Sequence, residues 1–226
     1  MDDGNNVKSL EYVEQQEKTS IAYARVGDKS KTLVISFGSN YHAGFMRKTS
    51  LIDLKYNKKY DFDIFYLRNK HKWYLGRLNG IGKNISDTIS FLKEQTQNYK
   101  KIITIGSSAG GYASFLFGSY INADVSIAID PQTDLEYLVE RLPKKNGPAN
   151  NLRYLKEHDK NTWKKFSNLK NILSPNVKYY MCCKNGRDVL HGVHHYNVIK
   201  ECSSVNLKNE IKKDMGLSLL RKSLNN

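Results

Sequence analysis

Residues 106–110 read Gly-Ser-Ser-Ala-Gly, a G-x-S-x-G centred on Ser108. A serine hydroxyl attacks an acyl carbon only when a base takes its proton and donors hold the oxyanion that forms. The flanking sequence supplies a setting for both. KKIITIG (100–106) is a β-rich apolar run, and AGGYASFLFGSYI (109–121) has the length and apolar content of a buried helix. Strand, tight turn and helix in succession lift a hydroxyl above the end of a sheet. Gly106 and Gly110 flank the serine where side chains would strike the strand or the helix, and Gly111 adds room. A helix start favours negative charge nearby. The backbone N–H of Ala109 is therefore one expected oxyanion donor, and the loop after LVISFG (33–38), at Ser39, is expected to give the second. The competing reading is a small-residue turn that packs a helix on a sheet.

In this arrangement the acid follows the serine and the histidine follows the acid. Asp188 stands in the loop after the apolar run VKYYMCC (177–183), where the acid is expected. Asp130, at the end of the preceding strand, is the fallback, although Pro131 after it favours a turn. His191, three residues past Asp188, is taken as the base, with His194 and His195 as alternatives that a helix would point in different directions. His42 and His71 precede the serine, and His158 lies in a helical stretch. No histidine follows His195.

Other chemistries are disfavoured. In NGIGKN (79–84) the third glycine of a dinucleotide fingerprint is missing, and Asn84 stands where a P-loop needs Ser or Thr, so the segment is read as a helix-entry loop. The three cysteines, Cys182, Cys183 and Cys202, form no disulfide framework, and Cys182 and Cys183 are expected on opposite faces of a strand. The histidines lack partners at metal-binding spacing, so no metal and no bound cofactor are expected.

The elements that position the serine follow from the patterning. SLEYVEQQ (9–16) and SIAYARVG (20–27) read as a strand pair; KTLVISFG (31–38), DFDIFYLRN (61–69), KKIITIG, ADVSIAID (123–130) and VKYYMCC read as core strands. NISDTISFLKEQTQNY (84–99) carries Ile85, Ile89 and Leu92 at helical spacing. Residues 131–175 hold two or three helical stretches, HHYNVIKEC (194–202) a helix, SVNLKNEI (204–211) a weak strand, and GLSLLRKSL (216–224) a closing helix. This alternation makes an α/β class protein with a mostly parallel sheet and helices on both faces.

With 226 residues, 39% hydrophobic and 26% charged, the chain is expected to be one domain over 1–226, with 131–175 as a helical lid or insertion. No run is long and apolar enough for a membrane span, and the polar, acidic start does not resemble a secretory leader, so a cytoplasmic location is expected. The net charge of +14, densest from Arg47 to Lys72, suits an anionic partner. Without a zinc-finger or RRM-type signature, a solvated basic face outweighs a nucleic-acid site, and no nucleic acid is expected.

GSSAGGYASFLFG (106–118), WYLGRLNGIG (73–82), AIDPQTDLEYL (128–138) and DVLH (188–191) together resemble α/β-hydrolase-fold proteins found with bacterial surface-polysaccharide genes, over roughly residues 30–195. The elbow is also similar to that of capsule polysaccharide O-acetyltransferases. The resemblance implies an α/β-hydrolase fold and a Ser-Asp-His triad. It implies acyl-ester chemistry, either as a serine esterase or as an acyltransferase drawing on acetyl-CoA, with an acyl ester or anionic polysaccharide as substrate and work near the inner membrane. The family places its histidine after the last strand, where this chain reads Asp214-Met215. That departure keeps a second expectation open: a catalytically degenerate binding or assembly protein of the same pathway.

Overall fold

The computed structural model describes residues 3–39, 44–69, 73–143, 147–183, 193–202, 205–208 and 215–225. In chain order, the first elements are α1 (Asp3–Lys18), β1 (Tyr23–Val26), β2 (Thr32–Phe37), α2 (Lys48–Ile52) and β3 (Asp63–Leu67). Then come α3 (Ile85–Thr96), β4 (Lys101–Ser107), α4 (Ala109–Tyr120) and β5 (Val125–Ile129). The chain continues with α5 (Leu135–Arg141), α6 (Gly147–His158), α7 (Lys160–Phe166), β6 (Lys178–Cys182), α8 (Val193–Ile199), β7 (Val205–Lys208) and α9 (Met215–Asn225).

Among the described residues the strands form a seven-stranded sheet in the order β1-β3-β2-β4-β5-β6-β7. β1 runs antiparallel to β3, and every other pairing is parallel. β4, which carries the glycine-serine turn at its carboxyl end, is central, between β2 and β5. In open parallel sheets the crevice beyond the strand carboxyl ends is where ligands bind.

Alternation along each strand feeds two cores. Leu33, Ile35 and Phe37 join α3, α4 and the helices between β5 and β6 on one face. Val34, Ile103 and Ile105 join Val13 of α1, Leu51 of α2 and Leu217 and Leu220 of α9 on the other. Cys182 and Cys183 fall on opposite sides, one in each core, as neighbouring strand positions require. α4 is apolar all round and almost wholly buried, and Gly118 lets it approach the side chains of Ser126 and Thr104.

SLEYVEQQ belongs to a helix, which corrects its reading as a strand. A strand period would bury Leu10, Tyr12 and Glu14 together. Instead Val13 is fully buried, Leu10 packs beside it, and Tyr12 is 40% exposed. A distant residue fixes the helix end. Arg68, following β3 and buried, donates to the carbonyls of Gln16, Glu17, Thr19 and Ile21 and lies over the Phe45 ring. Gln16 and Glu17 lie in the last turn, whose carbonyls need partners from outside the helix, and Thr19 and Ile21 lie just past it.

The core is tyrosine-rich, which sets its alkaline behaviour. Burial pushes the phenols of Tyr66, Tyr74 and Tyr112 well above their ordinary value, and burial, with Asp130 and Cys182 adding to it, pushes the Cys183 thiol up to about 12. A raised folded-state pKa gives stability that is complete below the unfolded-state value and is lost as pH climbs toward the folded one. Stability should therefore stay level to about pH 9 and then fall by ~1.4 kcal/mol per pH unit for each such group. The part of the 295 nm tyrosinate absorbance that belongs to Tyr66, Tyr74 and Tyr112 should rise together with the loss of far-UV circular dichroism. Ionisation of these three phenols while the far-UV signal is intact would contradict this packing.

Candidate active site

The turn between β4 and α4 is built by exclusion of side chains. A Cβ on Gly106 would lie 2.0 Å from the Gly110 carbonyl oxygen, and one on Gly110 would lie 2.3 Å from the Phe37 oxygen and 2.8 Å from the Gly38 oxygen. Only glycine lets α4 fold back over β4 and against the end of β2. The residue held at the bend, Ser108, has φ 54° and ψ −124°. L-residues rarely adopt that backbone, at a cost on the order of 1–3 kcal/mol, and such strain gathers where function requires it. Two main-chain bonds hold it: the Ser108 N–H donates to the Ile129 oxygen at 2.9 Å, and the Tyr112 N–H donates to the Ser108 oxygen at 3.0 Å.

The Ser108 hydroxyl meets an amide. Its Oγ lies 3.1 Å from Gln132 Nε2 and 3.2 Å from Gln132 Oε1, so the amide can give a hydrogen bond and take one. Gln132 is fully buried. It reaches the serine because Asp130, at φ 46°, turns the chain as it leaves β5, with its N–H on the Cys182 oxygen at 2.7 Å. Pro131 then packs under Gly111. Asp130 is thus the turn residue that the following proline suggests. Patterning alone did not single out Gln132. The available signal was a glutamine two residues past an apolar strand, inside AIDPQTDLEYL.

The expected oxyanion donors lie on the two sides of this turn. Ala109 opens α4, so its N–H has no carbonyl one turn earlier within the helix. Ser39 directly follows Gly38, whose oxygen accepts from Tyr74 Oη at 2.8 Å. The C=O and the next N–H of a trans peptide point opposite ways, and no described peptide is cis, so the Ser39 N–H faces away from Tyr74. Trp73 and Tyr74, both buried, hold consecutive left-handed φ values of 52° and 64°. Their strain is what brings the phenol beneath the loop.

Asp188 and His191 fall between β6 and α8, outside the described residues, as do His42 and His71. The two alternative histidines open α8 and face different partners. His195 is fully buried, and its Nδ1 accepts from the Thr133 N–H at 3.2 Å while Thr133 Oγ1 donates to its carbonyl at 2.6 Å. An Nδ1 that accepts from an amide carries no proton, so this imidazole is neutral with its hydrogen on Nε2. It fastens α8 to the segment after β5. His194 Nε2 lies 3.0 Å from Asp134 Oδ2, and its ring stacks on Tyr137 at 3.7 Å. Asp134 Oδ1 accepts from the Tyr137 N–H and caps α5. His158 stacks on Tyr154 at 4.0 Å, in α6. Position 215, where the resemblance places the histidine, begins α9, and a Cβ on the adjoining Gly216 would meet Ile129 Cδ1 at 2.5 Å. Ile129 is the residue whose oxygen holds the Ser108 N–H. Among the described residues no His/Cys/Asp/Glu group forms a metal-binding cluster, and no helix is long and apolar enough to cross a membrane.

No protein-family model matches the sequence, and no curated protein matches it significantly. Solved structures do match. The capsule O-acetyltransferase of Neisseria meningitidis serogroup A is similar over 91% of this chain and 92% of its own, with a TM-score of 0.61 and 14% identity. Esterase B from Lactobacillus rhamnosis is similar over 92% of this chain and 79% of its own, with a TM-score of 0.56 and 13% identity. The fold is that of the α/β hydrolases. A chain of the glycosylation-associated Gap123 complex from Streptococcus agalactiae shares it, with a TM-score of 0.60 and 14% identity over 90% of this chain and 45% of that one. In this fold Ser108 lies at the carboxyl end of the central strand β4, and residues 184–192 follow β6 in sequence.

Proposed function

We propose that this protein is a serine acyl-ester enzyme, an esterase or an O-acetyltransferase of bacterial surface-polysaccharide modification, acting on the cytoplasmic side of the inner membrane. The observation that carries the reading is the strained elbow: Ser108 at φ 54° and ψ −124° between β4 and α4. In the reaction the Ser108 hydroxyl turns from Gln132 toward the substrate, and Oγ attacks the acyl carbon as its proton passes to the His191 imidazole. Asp188 orients that imidazole. The carbonyl oxygen becomes an oxyanion held by the Ala109 and Ser39 N–H groups. The departing oxygen or sulfur takes the proton from His191, leaving an ester on Ser108. Water then completes hydrolysis, or a sugar hydroxyl completes transfer. Gln132 keeps the resting hydroxyl in one rotamer without removing its proton.

A second reading, a non-catalytic assembly protein, is favoured by one specific observation. Met215 starts the helix beside Ile129 where the resemblance places a histidine. Labelling with a fluorophosphonate decides between the two. Under the first reading the wild-type protein is modified at Ser108, and His191→Ala slows modification by about a hundredfold. Labelling that survives His191→Ala but not His195→Ala would reject His191 as the base. An unreactive wild type would establish the second reading, and there Met215→His should create reactivity.

Tyr74 provides a separate test of the oxyanion loop. Tyr74→Phe removes the hydroxyl that bonds the Gly38 and Leu67 oxygens at 2.8 and 3.2 Å. It should cost about 1–2 kcal/mol in urea unfolding, since buried carbonyls lose a donor. It should also slow probe acylation by about tenfold, because loosening one donor costs less than the hundredfold or more of deleting one. Unchanged acylation in a destabilised variant would separate Tyr74 from the oxyanion loop.

A further inference from the structure

A cleft of about 260 Å³ opens between residues 75–84 and α6. The first wall follows β3, whose carboxyl end lies on the same sheet edge as that of β4, and α6 follows α5 in the segment between β5 and β6. Its lining includes Leu75, Arg77, Lys83, Asn84, Tyr154 and His158. We propose that it binds a sugar ring carrying an anionic substituent, a carboxylate or a phosphate. The proposal rests on the acyl-ester reading for its role as the acceptor subsite, but not for the binding itself.

Tyr154 is 58% exposed, the most exposed large hydrophobic side chain among the described residues. Its ring is not loose: His158 stacks on it at 4.0 Å with 14° between the planes. A ring fixed on one side and bare on the other is a platform for a flat, partly apolar partner, and the C–H face of a pyranose is one. Beside it, Arg77 and Lys83 are exposed and have no side-chain partner among the described residues. Asn84 Oδ1 is occupied by the Asp87 N–H, which leaves its Nδ2 hydrogens to donate. The acidic lining residue, Asp159, is committed to α7, where Oδ1 accepts from the Thr162 N–H at 3.0 Å. Apolar platform, cationic pair and amide donor match the C–H face, the anionic group and the hydroxyls of a charged sugar. The volume falls just below the ~300–1,000 Å³ of drug-sized ligand sites, which suits a sugar unit better than a whole coenzyme.

The test is calorimetric titration of the Ser108→Ala protein, which cannot turn a substrate over, with hyaluronan tetrasaccharide and with glucose 1-phosphate. At least one should bind, and added salt should weaken it. Tyr154→Ala and the Arg77→Ala/Lys83→Ala pair should each weaken binding about tenfold, with circular dichroism unchanged. Neutral maltotetraose should bind at least about tenfold more weakly. The proposal is overturned if neither charged sugar binds, if the variants bind as tightly as the parent, or if maltotetraose binds equally. Tighter binding of adenosine 3′,5′-bisphosphate at the same residues would make the cleft a coenzyme site instead. Fluorophosphonate labelling of the wild type reports on Ser108 separately, so sugar binding without labelling removes the acyl-ester reading and keeps the cleft, and labelling without sugar binding does the reverse.

Discussion

On the proposed acyl-ester mechanism, Ser108→Ala should lower ester turnover by about 10⁴-fold or more and abolish fluorophosphonate labelling. What survives is the contribution of binding and the oxyanion donors. The backbone should hardly move, since the bonds from the Ser108 N–H to Ile129 and from the Tyr112 N–H to Ser108 need no side chain. Stability separates the alanine and glycine variants in an unusual order. Alanine is the more stable of the two at most positions, since glycine loses more freedom on folding. At φ 54° and ψ −124° the order inverts, because alanine keeps the Cβ strain and glycine does not. Ser108→Gly should therefore exceed Ser108→Ala by about 1–2 kcal/mol in urea unfolding. Both variants lose the contacts with Gln132, so the difference isolates the backbone. Equal stabilities would mean that the serine is unstrained, and turnover that persists in both would remove it from the chemistry.

Gly106→Ala should be the most damaging single substitution in the fold. The added carbon would sit 2.0 Å from the Gly110 oxygen and 2.3 Å from its carbonyl carbon, inside van der Waals contact with rigid main chain. No side chain can swing aside. α4 must lift from β4, and α4 is packed on the central strands through Phe115, Leu116 and Phe117. Overpacking ordinarily costs ~1–3 kcal/mol, and a collision with backbone in a helix of this burial should exceed ~3 kcal/mol, a large share of a typical 5–15 kcal/mol. Soluble yield should collapse, or the urea midpoint should drop by more than about 1 M. Gly110→Ala should behave alike, because its Cβ meets the Phe37 oxygen. Gly147→Ala, with nothing within 4 Å of its Cβ, is the control and should leave the midpoint unchanged or higher. A well-folded Gly106→Ala protein would mean that the elbow is looser than this packing.

The elements legible in the sequence are those whose local pattern and tertiary role agree. β2, β4 and β5 are short apolar runs buried on both faces, and α3 carries its own cap in Asn84 and an apolar stripe. α1 is not legible in the sequence because a short stretch with Leu10, Tyr12 and Val13 fits either period, and Arg68 closes the helix from a distant loop. In the candidate site, the elbow was legible because two glycines and a serine at fixed spacing encode its geometry locally. Gln132 was not: its closeness to Ser108 depends on the pairing of β4 with β5 and on the left-handed turn at Asp130. Nor were the separate tasks of His194 and His195, adjacent in sequence and set apart by Asp134 and Thr133.

By itself the sequence determined an α/β chain with an elbow at Ser108, since strand period, helix period and glycine spacing are properties of neighbouring residues. Tertiary structure alone decided which groups surround that serine. It put a buried amide on the hydroxyl, turned His195 into a fastener, set Tyr74 under the Gly38 carbonyl and opened a cleft beside Tyr154. Each of these joins residues far apart in the chain, and the sheet order that brings them together is set by how whole faces bury, which no local spacing records.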